Sequence, residues 1–418
     1  MKRVAIIGCG ISGLGLAYYL RELDCQFVLY EMEDYLGGHA NTVMVNEGHH
    51  TIPVDTGFMV FNKVTYPLLI DLFKQLNVPI KQTDMSFSVQ DAQTGLQYAG
   101  ASFNRLFGDR SNFCKPFFGR LLLEINRFNC QGKADLLDSS VKAMSLAQYV
   151  QYKRFSKDFV DMYLVPMSAA IWSAPPGKMK DFPASTLLHF FANHGLLGVS
   201  TQHQWWTVDG GSRQYVKLLL DCVKADVRKC AKVVSVERKS QDVVVNCQDG
   251  DCQSYDQVIM ACHADQALAL LSRPNTLESS LLSAFSYQQN HTILHTDSSV
   301  MPKAPRCWAS WNYRIDPESA STHYWMNNLQ NVSQEKDYFV SLNAEHLIDK
   351  AKIVRRIVYH HPLFDKLAIS AQSDLARLNN GPDHDRISFC GSYFGYGFHE
   401  DGLKSAWDLA QIFKSRQL

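Results

Sequence analysis

The first 31 residues of the chain combine a short apolar strand, a glycine-rich turn, a helix and a second strand that ends at an acid. The first strand spans 3–7 and the turn spans Gly8–Gly13; the helix covers Leu14–Leu23, and the second strand, Phe27–Tyr30, is followed by Glu31. A G-x-G-x-x-G motif is weak evidence alone, but between a strand and a helix it is specific. The alternative is a glycine-rich turn in another α/β protein. The pattern predicts a dinucleotide-binding βαβ unit.

Each residue of this turn has a separate role in the prediction. Gly8 permits the tight turn, Gly10 lets a pyrophosphate approach the backbone, and Gly13 lets the helix pack on the strand. Ile11 and Ser12 lie at the approach to the helix, whose N-terminus offers unpaired N–H groups and partial positive charge. We therefore predict that these five residues contact the pyrophosphate.

A second glycine pair follows the acid. Glu31 and its neighbour Met32 are predicted at the adenosine end, where the carboxylate accepts ribose hydroxyls and disfavours the 2′-phosphate of NADP. Gly37, Gly38 and His39 come shortly afterwards. Many flavoproteins carry such a pair here, usually followed by arginine, so the pair indicates FAD rather than NAD. Histidine in the arginine position weakens the electrostatic contact unless it is protonated.

Two further segments are assigned to the cofactor. The stretch 54–58 resembles the segment that flavoproteins run past the flavin ring, which places Thr56, Gly57 and Phe58 there. Val233 opens a predicted strand over 233–237 and is assigned to the same site.

The second strong signal lies near the C-terminal end. A predicted strand over 387–390 runs into Gly391 and Ser392, then into an aromatic-rich loop, Asp401 and a predicted helix Leu403–Phe413. N–H groups at such a helix start can stabilise negative charge on the flavin N1 and O2 atoms. Asp401 is predicted as the helix N-cap. The alternative is a capped surface helix after a glycine-rich loop.

These motifs divide the chain into two predicted domains. Residues 1–62, 203–265 and 383–418 form the FAD-binding domain, and residues 63–202 and 266–382 form a substrate-binding domain over the flavin. The predicted fold class is α/β, with a Rossmann-like FAD-binding domain of the glutathione-reductase type and a discontinuous α+β substrate domain.

Composition excludes several function classes. The 418 residues carry 41 acidic and 41 basic side chains, which gives no indication of nucleic acid binding. A secretion signal and a bilayer-spanning apolar run are both lacking, and the 11 cysteines show no pairing pattern, so we expect a cytoplasmic protein with reduced thiols. No metal site is expected, because the pairs His49-His50 and His360-His361 are adjacent and face opposite sides of a strand.

Together these pieces resemble the FAD-dependent amine oxidase superfamily, which includes monoamine and polyamine oxidases, protoporphyrinogen oxidase and phytoene desaturases. The segment 397–406 aligns without a gap to the family's Gly-Tyr-x-Glu-Gly-Ala-x-x-Ser-Gly. The resemblance implies that Phe398 forms an aromatic wall beside the flavin and that the His399 N–H meets flavin O2. Asp401 stands in place of a glycine, and Ser392 in place of an acid that touches the ribityl chain.

More narrowly, the chain resembles bacterial FAD-binding proteins whose genes lie beside cyclopropane-fatty-acyl-phospholipid synthases. The matching segments are 37–42, 54–62, 308–313 and 393–402. This resemblance implies oxidation or desaturation of a modified or unsaturated fatty acyl chain, and hence an apolar small-molecule or phospholipid acyl substrate.

Candidates for chemistry lie in the motifs near the flavin. His399, Glu400 and His39 are candidate acids or bases, although the first can contribute only its backbone and the second can pair with a neighbouring base. Phe398 and Tyr396 could supply one wall of an aromatic cage. The other wall would come from three aromatic residues that could equally fill a core, namely Trp308, Trp311 and Tyr313.

Two apolar stretches allow two interpretations each. The stretch 101–128 alternates aromatic and basic residues, as in a helix lying on an anionic membrane or an amphipathic helix packed on its own domain. The stretch 187–197 is either core or the lining of an apolar tunnel.

The sequence therefore predicts an FAD-dependent oxidoreductase acting on a lipid acyl chain. A flavin amine oxidase, a flavin-containing isomerase and a non-redox lipid-binding protein remain alternatives. The sequence has no second G-x-G-x-x-G, so oxygen or a separate electron carrier is expected to reoxidise the flavin. Peripheral membrane contact is the corresponding expectation for location.

Overall fold

The structure is a computed structural model that describes residues 1–100, 102–198, 201–380 and 386–416. The strands are β1 (Lys2–Ile7), β2 (Cys25–Tyr30), β3 (Thr42–Glu47), β4 (His50–Asp55), β5 (Phe61–Asn62), β6 (Ile80–Thr83), β7 (Phe87–Asp91), β8 (Gln97–Ala99), β9 (Trp205–Val208), β10 (Ala225–Arg228), β11 (Val233–Arg238), β12 (Val243–Cys247), β13 (Cys252–Tyr255), β14 (Gln257–Met260), β15 (Ser286–His295), β16 (Trp311–Ile315), β17 (Ala320–Trp325), β18 (Phe339–Leu342), β19 (Ile353–Leu363) and β20 (Ile387–Phe389).

The helices are α1 (Ile11–Tyr19), α2 (Pro67–Gln75), α3 (Phe103–Leu106), α4 (Pro116–Asp135), α5 (Ser139–Lys142), α6 (Leu146–Lys153), α7 (Lys157–Phe159), α8 (Val165–Trp172), α9 (Ala184–Asn193), α10 (Arg213–Cys222), α11 (Ala264–Leu270), α12 (Thr276–Leu282), α13 (Met326–Gln330), α14 (Lys366–Gln372) and α15 (His399–Ser415). A π-helical stretch, Val160–Leu164, joins α7 to α8. No helix in the described ranges is both long enough and apolar enough to cross a bilayer.

A five-stranded parallel sheet in the order β10-β2-β1-β14-β20 organises the nucleotide-binding half. Val4 pairs with Phe27 on one side and with Gln257 on the other, and β20 joins through Val258 and Ile387. The inner strands are buried along most of their length, as expected when helices cover both faces of a parallel sheet. The sheet draws strands from all three of the separated stretches, and the predicted α/β class with its Rossmann-like sheet is confirmed.

A seven-stranded mixed sheet, in the order β19-β15-β18-β17-β16-β7-β8, organises the other half. All its strands come from the two intervening stretches of the chain. Helix α2 lies outside the stretch 1–62, yet Leu69 and Phe73 pack in the same core as β1, α1 and α10. Strand β6 likewise pairs with β9. The nucleotide-binding core therefore continues past the predicted boundary, as far as β6.

Both helices at the predicted site start earlier than the sequence pattern indicated. Helix α1 begins at Ile11, because Gly10 takes the N-cap position and its carbonyl accepts the Leu14 N–H at 3.0 Å. It also ends at Tyr19, short of the predicted Leu23. Ser12 and Gly13 are poor helix formers, so their first-turn position could not be read from propensity.

The prediction that Asp401 is an N-cap is wrong. Helix α15 begins at His399, so Asp401 lies within its first turn and Phe398 is the N-cap. The Asp401 carboxylate reaches back to accept the N–H groups of Phe398 at 2.9 Å and Tyr396 at 3.0 Å. It fixes the loop that enters the helix, which is the role of the acid in a capping box.

The two ambiguous apolar stretches differ in their structure. In 187–197 the side chains of Leu187, Phe191 and Leu197 are buried in the core, so the core interpretation describes them. The stretch 101–128, whose first residue lies outside the described ranges, forms α3, a short 3₁₀ helix Arg110–Cys114 and the first part of α4. It is therefore not one amphipathic helix.

Candidate active site

The glycine-rich turn after β1 has the close backbone packing that its sequence requires. A Cβ atom on Gly13 would lie 2.0 Å from the Gly8 carbonyl oxygen, which leaves no room for a side chain. A Cβ on Gly10 would instead meet no described atom within 4 Å. The turn is thus closed on its helix side and open above Gly10, where a phosphate can approach the N-terminus of α1.

The second glycine pair lies directly against the first turn. The Gly37 N–H donates to the Cys9 carbonyl at 2.9 Å. A Cβ on Gly38 would lie 3.2 Å from the Gly10 Cα, and both glycines of the pair have positive φ angles of 114° and 59°. The two glycine motifs therefore form one continuous backbone surface, as expected for a pyrophosphate cradle.

Glu31 lies at the carboxyl end of β2, beside this cradle. Its carboxylate accepts the Cys9 N–H at 3.0 Å and the Glu33 N–H at 3.1 Å, and burial raises its pKa. A carboxylate has about four lone-pair sites, so capacity for ribose hydroxyls remains. The Ala231 N–H donates to the Glu31 carbonyl at 2.8 Å. This hydrogen bond places the segment that leads to Val233 beside Glu31. Met32 is exposed.

The His39 side chain is surrounded by uncharged aromatic rings. Its ring stacks on Tyr359 at 4.8 Å and approaches His361 at 5.1 Å and His263 at 6.4 Å. Burial, reinforced by the neighbouring histidines, lowers the pKa of His39 to about 3, so the imidazole is neutral at physiological pH. Its Nε2 atom is buried and has no hydrogen-bond partner in the described part of the chain. This unpartnered atom fits a site whose remaining polar contacts come from a bound ligand.

The segment 54–58 is held tightly against His39. The Phe58 N–H donates to the His39 carbonyl at 2.7 Å, and a Cβ on Gly57 would lie 2.3 Å from the same oxygen. The Thr56 hydroxyl shares a hydrogen bond of 2.8 Å with the Tyr359 hydroxyl. These contacts make the stretch predicted to pass the flavin a rigid neighbour of the cradle.

A buried carboxylate that the sequence pattern did not single out anchors this segment. Asp55 accepts hydrogen bonds from the Ser212 N–H at 2.9 Å and hydroxyl at 2.7 Å, and from the Gln330 amide at 2.7 Å. Ser212 follows Gly210 and Gly211 directly before α10, and Gln330 is the last residue of α13. Asp55 therefore joins the two halves of the molecule beside the site.

The C-terminal motif meets the N-terminal motif at the two helix starts. A Cβ on Gly402 would lie 2.9 Å from both Ser12 Oγ and Ile11 Cγ2, and 3.8 Å from the Ser392 Cβ. The Gly391 N–H donates to the Ser405 hydroxyl of α15 at 2.9 Å. The first turn of α15 thus packs against the first turn of α1, although the two helices lie at opposite ends of the chain.

The His399 ring is held by a stacking contact and a hydrogen bond within the protein. It stacks on Phe58 at 3.7 Å with an interplanar angle of 8°, and its Nε2 shares a 2.7 Å hydrogen bond with the Tyr215 hydroxyl. Burial lowers its pKa to about 3. The ring is therefore neutral and packed. The His399 backbone N–H, at the first position of α15, has no intrahelical acceptor and can donate to a ligand.

Glu400 is bound to the start of another helix. Its two carboxylate oxygens accept the N–H groups of Leu68 at 2.8 Å and Leu69 at 3.0 Å, in the first turn of α2. A carboxylate at this place satisfies two otherwise unpaired donors and interacts favourably with the helix dipole. Both oxygens of Glu400 are thus occupied by structural hydrogen bonds.

The ring of Phe398 lies among aromatic side chains from α8, α9 and the residue after α9. Its centroid is 5.1 Å from Phe190, 6.2 Å from Trp172 and 6.4 Å from His194. Burial lowers the pKa of His194 to about 4, so this ring is also uncharged at neutral pH. The half-buried Tyr396 precedes this group in the loop, where its N–H is fixed by Asp401.

The strand residues considered for the second wall have other ring partners. Trp308 packs against Trp325 and Phe339, and Trp311 packs against Tyr324. Tyr313 is buried in the core. Two neighbours of Phe398, namely Phe190 and His194, lie in the stretch 187–197 that the sequence singled out. Sequence reasoning missed Trp172, because its helix has the apolar spacing of an ordinary core.

Comparison with known proteins agrees with this geometry. The family model of the flavin containing amine oxidoreductases matches residues 11–303, which is more than half of the chain. A 15-cis-phytoene desaturase from Synechococcus elongatus is 37% identical over 76 residues, a match that covers 18% of this chain and 15% of that protein.

Two solved structures share the fold over 99% of this chain. Cyclohexylamine oxidase from Brevibacterium oxydans IH-35A has a TM-score of 0.68 at 12% identity, with 99% of that chain covered. A CLA-producing fatty acid isomerase from P. acnes has a TM-score of 0.63 at 13% identity, with 98% of that chain covered. The chain belongs to the flavin containing amine oxidoreductases and is an FAD-dependent oxidoreductase.

Proposed function

We propose that this oxidoreductase acts on an apolar acyl chain, which it desaturates or oxidises by two electrons. The observation that carries the proposal is the uncharged aromatic surrounding of Phe398, formed by Trp172, Phe190 and His194. Aromatic faces can attract an ammonium group, but a buried ammonium also favours a carboxylate partner, whereas an acyl chain needs only apolar contacts without charge. The acids nearest in sequence, Glu400 and Asp401, are both bound to backbone N–H groups.

FAD, when bound, supplies the two-electron acceptor. The chain's own residues would then have three tasks. Gly10 and the glycine pair 37–38 would admit the pyrophosphate, and Glu31 would accept the ribose hydroxyls. The N–H groups of His399 and Glu400, at the start of α15, would stabilise negative charge on the flavin.

The aromatic wall has a positioning role. Phe398 and its neighbours exclude water from the reacting bond and hold the acyl chain by contact area. Desaturation would remove two hydrogens from adjacent carbons, one as hydride and one as a proton, and both would be taken up by bound FAD to give FADH2. Oxygen or a separate electron carrier is the proposed final acceptor, because the sequence holds one G-x-G-x-x-G motif.

The names of two similar proteins support the proposal of an apolar substrate. One is a 15-cis-phytoene desaturase and the other a fatty acid isomerase. Amine oxidation is the second candidate, favoured by the shared fold of cyclohexylamine oxidase.

Anaerobic mixing of the holoenzyme with each substrate class tests the proposal. Phospholipids with unsaturated, methyl-branched or cyclopropane acyl chains are expected to bleach the flavin absorption, whereas polyamines are expected to leave it unchanged. Phe190→Ala should slow bleaching by lipid, and Leu367→Ala, on the exposed surface, is the matched control. Bleaching by polyamines but not by lipids would overturn the acyl proposal in favour of amine oxidation.

A further inference from the structure

A group of stacked phenylalanines lies on the surface of the second half of the molecule. Phe103 and Phe113 are 70% and 57% exposed, and both contact Phe107, with ring centroids at 4.9 and 4.0 Å. Phe107 in turn packs at 5.5 Å on Phe118, which is buried. We call Phe103, Phe107 and Phe113 the phenylalanine patch. Its inner ring is anchored in the core, and its two outer rings face solvent.

Basic side chains surround the phenylalanine patch. The Arg110 guanidinium donates to the Phe107 carbonyl at 3.0 Å and to the Asn104 amide oxygen at 2.7 Å, and the Lys115 ammonium donates to Asn112 at 3.1 Å. These acceptors are uncharged, so they leave both positive charges uncompensated.

One more exposed cation lies near this surface. Arg105, between Phe103 and Phe107, is instead paired with Asp84 at 3.9 Å and adds no net charge. The exposed Arg306 belongs to the 3₁₀ helix Pro305–Cys307, which lies against Gly108: a Cβ there would be 3.1 Å from the Arg306 carbonyl carbon. The one acid of the stretch 102–120, Asp109, accepts the Ser111 N–H at 3.0 Å. The whole chain carries equal numbers of acids and bases, so this excess of positive charge is local.

We propose that the phenylalanine patch docks on an anionic phospholipid bilayer. Phe103 and Phe113 enter the boundary between headgroups and acyl chains, and Arg110 and Lys115 contact the phosphates. Exposed aromatic rings bordered by basic groups suit this interface, because the rings gain apolar contact and the charges gain anionic partners. The charge complementarity selects an anionic membrane over a neutral one.

The same surface is poorly suited to self-association. In a symmetric dimer the patch would face its own copy, which would bring like charges together. A lipid surface instead supplies opposite charge over the whole area. The patch also belongs, through Phe107 and Phe118, to the apolar cluster that includes Trp172 and Phe398. The docking proposal nevertheless stands whether or not the substrate is a lipid.

Vesicle co-sedimentation of the holoenzyme tests the proposal. The wild type should sediment with phosphatidylcholine vesicles that contain phosphatidylglycerol, remain free with phosphatidylcholine alone, and be released by salt. The double variant Phe103→Ser/Phe113→Ser should bind at least about tenfold more weakly. Arg110→Gln/Lys115→Gln should bind roughly 25-fold more weakly, at about fivefold for each charge.

The matched control is Leu137→Ser/Leu367→Ser, which changes two leucines that are 88% and 71% exposed outside the patch and should bind like the wild type. Bound FAD and the solution mass of each variant verify that it is folded. Unchanged vesicle binding in the phenylalanine variant would overturn the proposal. So would a wild-type dimer that the same variant dissociates, since the patch would then be an interface between copies.

Discussion

The glycine cradle and the aromatic wall are the two sides of the proposed site, and they are built in different ways. The cradle is backbone against backbone, and added Cβ atoms at Gly13 and Gly57 would lie 2.0 and 2.3 Å from carbonyl oxygens. The wall is made of side chains from separate helices. The ring centroid of Phe398 lies 5.1 Å from that of Phe190 and 6.2 Å from that of Trp172. We therefore expect the closed positions of the cradle to tolerate no side chain, and the wall to accept changes of shape without loss of the cofactor.

The largest effects are expected from adding a methyl group at either of two glycines in the first turn. Gly13→Ala should cost about 3 kcal/mol or more of stability and abolish FAD binding, because its Cβ overlaps the Gly8 carbonyl. Gly10→Ala should leave the melting temperature of the apo-protein nearly unchanged, since free space surrounds its Cβ. It should still lose FAD binding, because the methyl group occupies the path of the phosphates. Calorimetric titration with FAD and thermal melts measure both; an intact FAD affinity in Gly10→Ala would remove this turn from the site.

Glu400 separates a structural role from a chemical one. Glu400→Ala should destabilise the protein by about 1–2 kcal/mol through loss of the α2 cap. Glu400→Gln, the matched variant, keeps an acceptor oxygen, so it should lose less stability and retain turnover. A base would behave differently, with turnover in Glu400→Gln falling by about 10²–10⁴ at nearly unchanged stability. Denaturant melts together with single-turnover flavin reduction distinguish the two roles.

His39 gives a smaller, pH-dependent effect on the cradle side. The folded imidazole resists protonation down to pH about 3, whereas the unfolded one takes up a proton near pH 6.5. Its contribution to stability is therefore complete above pH 6.5 and is lost as the pH falls towards 3, by up to about 1.4 kcal/mol per pH unit. Urea melts of the apo-protein over a neutral-to-acid series should give a shallower dependence for His39→Gln than for the wild type. An unchanged slope, equal to that of the control His49→Gln, would mean that His39 takes up its proton at the same pH in the folded and unfolded states.

The smallest expected effect lies in the wall. The Trp172 indole N–H is buried and has no partner among the described residues, so Trp172→Phe removes no hydrogen bond. Stability should change by about 1 kcal/mol or less, and FAD content should stay constant. KM for the acyl substrate should rise a few-fold as contact area is lost. A fall in bound FAD instead would show that the wall and the cradle are not independent.

The difference between the two sides also explains what could be predicted from the sequence. The cradle follows from glycine spacing within short segments, and the sheet from apolar runs beside them. The starts of α1 and α15 were placed too late because Ser12, Gly13 and Asp401 are weak helix formers that long-range packing holds in the first turn. Glu400 and Asp55 have partners remote in sequence, and Trp172 has the spacing of any buried helix residue, so no local pattern could reveal their contacts.

The proposed oxidation of an acyl chain is tested most directly by analysing the lipids themselves. Lipids extracted from cells with and without this chain, and from purified holoenzyme reactions, can be compared by mass spectrometry. We expect one acyl species that is two hydrogens lighter when the active enzyme is present, and that is diminished with the Phe190→Ala variant. An unchanged acyl mass with a shifted double bond would instead indicate an isomerase. Unchanged lipids, from an enzyme whose flavin polyamines reduce, would contradict the account.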